Sequence, residues 1–98
     1  MNTPSLNNAT RLYEILGKYV PEVPQEEYLD YINAIFDKIK EDGNYNVYFD
    51  AIQLMTGETF ETLTQKEPTD VLELFIKSLI DWRIIELIAF FKSVGYKL

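Results

Sequence analysis

An all-α fold, an irregular four-helix bundle ending in one long apolar helix, is what this sequence predicts. Three observations carry the prediction. Apolar residues recur at three- and four-residue steps along most of the chain, the spacing of one helix face. The runs are separated at Pro21, Pro24, Gly43, Gly57 and Pro68, residue types that stop or open helices. From Val71 to Phe91, fifteen of twenty-one residues are apolar, more than an ordinary surface helix carries. At 98 residues the chain has the length of one domain, residues 1–98.

Helix one is expected from Pro4 to about Tyr19. Thr3 can cap it, and Pro4 suits the first helical position, where its missing N–H has no partner to lose. Leu6, Ala9, Leu12, Tyr13 and Leu16 fall on one face. Val20-Pro21-Glu22-Val23-Pro24 then reads as a stiff connector, because each proline disfavours helix in the residue before it.

Helix two is expected from about Pro24 to Glu41. Glu26 and Glu27 in its first turn, and Lys38 and Lys40 near its end, complement the helix dipole. Tyr28, Ile32, Ile35, Phe36 and Ile39 form its buried stripe, and Gly43 can take the left-handed capping conformation. Helix three follows from Tyr45 to Thr56, with Tyr48, Ala51, Ile52 and Met55 facing the core and Gly57 as its cap. The aromatic and β-branched run from Tyr45 to Phe49 leaves a short strand as the competing reading.

Glu58 to Lys66 reads as a connector with one short helical turn, in which Phe60 and Leu63 fold back onto the core. Helix four opens at Pro68 and runs to Ser93 or Val94. Unbroken, its 26 residues span roughly 39 Å at 1.5 Å per residue. In its first half Asp70, Glu73, Lys77 and Asp81 lie opposite Leu72, Phe75, Ile76, Leu79 and Ile80. In its second half that separation fails, since Ile84, Ile85, Leu87, Ile88, Phe90 and Phe91 surround the axis. A helix apolar on all sides needs cover on all sides, so a partner is expected there.

Composition narrows the chemistry. The net charge is −7, with nine acids against four bases in residues 1–50 and seven against five in residues 51–98. No basic cluster exists to hold phosphates, so nucleic acid is not an expected partner. The chain has no cysteine and no histidine, which removes thiolate zinc sites and the commonest general base and metal ligand. Gly17, Gly43, Gly57 and Gly95 are isolated, so no phosphate loop is present. Glu26-Glu27 and Glu41-Asp42 read as helix-end charges, and Asp30, Asp37 and Asp50 lack the spacing of a calcium loop. No enzyme activity, cofactor or metal is therefore expected. Charges within the last helix argue against a membrane span, and no secretory leader is read at the start, so a cytoplasmic protein is expected.

The candidate site is a protein interface formed by Trp82, Arg83, Ile84, Ile88, Phe90 and Phe91. Trp and Arg are enriched at interface hot spots. The competing reading packs Trp82 in the monomer core and pairs Arg83 with Asp81 or Glu86. Adjacent Phe90 and Phe91 diverge by about 100° on a helix, so one core cannot take both.

Asp50-Ala51-Ile52-Gln53-Leu54-Met55-Thr56-Gly57-Glu58-Thr59-Phe60-Glu61-Thr62-Leu63, followed by Pro68-Thr69-Asp70 opening an apolar helix, resembles the tail assembly chaperones of long-tailed bacteriophages over residues 45–92. Members of that family are small, acidic and mostly helical, and many also occur in a longer, frameshifted form. The resemblance implies a non-catalytic, oligomerising morphogenesis factor in the host cytoplasm, with tape measure and tail tube proteins as partners. The alternative is a small acidic inhibitor or immunity protein that binds a basic surface through its carboxylates. An enzyme using only carboxylates and tyrosines is a third reading, and it requires a pocket lined by acids of raised pKa.

Overall fold

A computed structural model describes residues 2–21 and 27–96. The described residues form six α-helices and no strand: α1 (Leu6–Leu16), α2 (Tyr28–Asp42), α3 (Tyr45–Thr56), α4 (Phe60–Thr64), α5 (Pro68–Asp81) and α6 (Ile84–Ser93). The all-α class is as predicted; the four-helix bundle with one long final helix is not what forms. The radius of gyration is 12.7 Å, close to the ~13 Å of a compact chain of this length, so the helices share one body.

The first helix starts later than expected. Ser5, not Thr3, is the N-cap, and its hydroxyl accepts a hydrogen bond from the Asn8 N–H at 3.3 Å. Its last residues tighten into a 3₁₀ turn, Gly17–Tyr19. Ala9, Leu12, Tyr13 and Leu16 are buried as their spacing requires, but Leu6, the first helical residue, is 67% exposed. The expected start of helix two at Pro24, and Glu26 in its first turn, lie outside the described residues. Within α2, Ile32, Ile35 and Ile39 are buried together with Tyr31, while Tyr28 and Phe36 are half-buried.

Both glycine stops perform as chemistry predicts. Gly43 and Gly57 adopt φ of 72° and 79°, a region closed to most side chains. Their N–H groups return to the carbonyls of Ile39 at 3.0 Å and Gln53 at 2.9 Å. Tyr45–Phe49 is helical rather than extended. The expected short turn is α4, capped by the Thr59 hydroxyl on the Thr62 N–H at 3.1 Å. Leu63 folds back onto the core, but Phe60 does not: it is 49% exposed.

The largest departure is at Trp82–Arg83. The helix expected from Pro68 to Ser93 or Val94, whose continuity near Trp82 the sequence leaves open, is two helices, joined by Arg83 at φ 53° and ψ 57°, the one non-glycine with positive φ among the described residues. No proline or glycine causes the break; packing does. Turning the chain back lets α6 lie on α1, where Ile84, Ile88 and Phe91 become buried. Phe91 stacks on Tyr13 with ring centroids 4.9 Å apart. Burying each such side chain contributes about 1.5–3 kcal/mol, whereas one left-handed residue costs about 1–2 kcal/mol. The three together outweigh the strain, so tertiary packing overrides helix continuity. Much of the apolar surplus read in the sequence is thereby absorbed within the monomer.

α3 is the central element. It packs against α1, α2, α4 and α5 and buries Ala51, Ile52 and Met55. Asn2 fastens the N-terminal segment to its end, through Asn2 N–H to the Met55 carbonyl at 2.9 Å and the Asn2 amide to the Leu54 carbonyl at 2.8 Å.

Candidate protein interface

The break at Arg83 divides the six residues expected at an interface. Ile84 and Ile88 belong to the interior and offer no surface. Trp82, Arg83, Phe90 and Phe91 converge on one open cleft of about 430 Å³. Trp82, 3% exposed, and Phe91 are buried, so they line the cleft without projecting from it. Phe90 projects beside it at 50% exposure, and Leu6 and Pro4 close it from the start of the chain. The divergence of Phe90 and Phe91 is thus realised as one ring out and one ring in. They still touch edge to face at 5.2 Å.

The cleft has a polar side. Arg83 and Glu86 pair at 3.8 Å with both side chains largely exposed, a contact of little energetic weight. Tyr28 of α2 donates its hydroxyl to the Glu86 carboxylate. That hydrogen bond is the main cause holding the Glu86 carboxyl below the usual carboxylate range, with Arg83 adding to it. Burial, then the same hydrogen bond, pushes the Tyr28 phenol up. The indole N–H of Trp82 is buried with no acceptor among the described residues. A buried donor left unmet costs about 1–3 kcal/mol.

A second groove was not legible in the sequence. It has a volume of about 520 Å³ and is walled by Phe36 of α2, Tyr48 and Phe49 of α3, Leu63 of α4, and Val71 and Leu72 of α5. Phe60 stands edge-on to Phe49 at 5.4 Å, Phe49 to Tyr48 at 5.4 Å, and Tyr48 to Phe36 at 5.6 Å. Four aromatic rings thus run in a connected row along this side. The available signal was the density of aromatics from Tyr45 to Phe49, which exceeds what one core-facing stripe of helix can hide. Lys66, at the groove's edge, is paired with Glu58 at 3.6 Å.

Among the described residues, no three acidic side chains gather as they would around a metal ion. No helix there is long and apolar enough to cross a membrane. Comparison with family models, with curated proteins and with solved structures returns no match.

Proposed function

We propose that this chain is a non-catalytic protein-binding module, used as a tail assembly chaperone or related morphogenesis factor of a long-tailed bacteriophage. One observation carries the binding part of this reading: Leu6 and Phe90 stand exposed around a cleft floored by Trp82 and Phe91. Exposed apolar side chains gathered at a concavity suit an apolar helical segment of a client. The phage assignment rests on the resemblance over residues 45–92, and the tape measure and tail tube proteins are the clients it implies.

The test is co-expression with the proteins encoded beside its gene, a tube protein and a tape measure protein on this reading. The wild-type chain should co-purify with one of them, and that association should survive high salt. The double variant Leu6→Glu/Phe90→Glu, which places charges at the apolar contact, should weaken binding by roughly a hundredfold, about 2.7 kcal/mol. Binding that collapses as salt rises, and is indifferent to the double variant, would instead identify the acidic inhibitor.

A further inference from the structure

We infer that α6 exchanges between two copies of the chain by straightening at Trp82–Arg83, giving a dimer in which each α6 lies on the other copy's α1. Three observations lead here. The joint between α5 and α6 is two residues long, and one of them is an arginine held in the left-handed region at φ 53°. Short strained hinges are where elements exchange between copies. From Thr69 to Val94 the sequence holds no glycine and no proline, so nothing local opposes one continuous helix. Straightening relieves the strain at Arg83. It also lets the N–H groups of Ile84, Ile85 and Glu86 reach the carbonyls four residues back, at Ile80, Asp81 and Trp82.

The contacts that the C-terminal unit makes with the first two helices can be remade between copies. Phe91 stacks on Tyr13, and Tyr96 meets Tyr13 at 5.5 Å and donates its hydroxyl to Glu14 at 2.7 Å. Tyr28 reaches Glu86. Each pair joins the C-terminal unit to the first two helices, and none depends on α6 following α5 within the same copy. Exchange therefore preserves this packing while removing the backbone strain; the loss of independent motion of the two copies opposes it. The balance depends on concentration, and it holds whichever client the monomer binds.

Arg83 sets that balance, which makes it testable. Arg83→Gly removes the left-handed penalty from the folded-back form. Arg83→Val raises it, because β-branched residues are the most averse to positive φ, while an exposed valine is tolerated in a straight helix. Sedimentation equilibrium should show dimers of the valine variant at least about tenfold tighter than wild type, a shift of about 1.4 kcal/mol, and of the glycine variant weaker. To identify exchange, Glu14→Cys/Tyr96→Cys is built into the valine variant, whose natural sequence has no cysteine, and treated with a short bis-maleimide. Exchanged dimers give covalent dimers on a denaturing gel. A valine variant that stays monomeric at millimolar concentration overturns the inference. So does a dimer whose cross-links all lie within single chains.

Discussion

Phe75→Ala should remove about 3–5 kcal/mol of folding stability. Domains of this size have about 5–15 kcal/mol in all, so the loss is a large share of the total. Phe75 is fully buried on α5 and its ring lies 4.6 Å from that of Tyr48 on α3. Those two helices pack directly on each other. Truncation leaves a cavity that neighbouring helices can fill only by moving, and close-packed interiors resist such movement. Phe90→Ala is the control: it deletes the same atoms from a half-exposed ring and should cost far less. Urea unfolding of the two variants side by side decides the matter. Equal midpoints would mean that Phe75 is not where the helices are held together.

The second large effect is expected in alkali. Burial pushes the phenol of Tyr31 up to about 12, with Tyr13 adding to it, and burial alone pushes Tyr48 up to about 12. In the unfolded chain both should ionise near 10. A group whose folded pKa is raised contributes stability that is fully present below its unfolded pKa. That stability is lost as pH rises through the folded value. The protein should therefore hold constant in this respect up to about pH 10 and lose stability toward pH 12. A two-unit difference corresponds to about 2–3 kcal/mol at full ionisation; Tyr31, the more completely buried, should come nearer that figure than half-buried Tyr48. Urea midpoints measured at pH 8, 10 and 11.5 test this directly. The variant Tyr31→Phe/Tyr48→Phe should flatten the alkaline fall, and an unchanged fall would place its cause in other groups.

The parts of the fold governed by neighbours in sequence were legible. Gly43 and Gly57 ended α2 and α3 where they should, because a left-handed cap needs no information beyond the residue itself. Ile32, Ile35, Ile39, Ala51, Ile52 and Met55 were placed inside by spacing alone. What escaped was what distant residues decide. Trp82 and Arg83 look like any helical pair, and only the gain from setting Ile84, Ile88 and Phe91 on α1 breaks the helix there. Leu6 has the right spacing for burial but sits at the first helical position, where it stands exposed at the mouth of the cleft. The candidate site was half legible for the same reason. Composition located an apolar surplus near residues 82–91. Which of those residues turn inward depended on a bend the sequence does not show. The aromatic groove draws on four helices, and no window of sequence contains it.

Trp82 is the chain's single tryptophan, and it sits at the bend, almost wholly out of water. The molecule therefore carries its own optical gauge at the point where its shape is decided. Indole emission should lie at short wavelength while the bend is packed and move toward long wavelength whenever water reaches the ring. A rapid-mixing fluorimeter can follow the opening of that joint in the unlabelled protein, and Trp82→Phe supplies the blank.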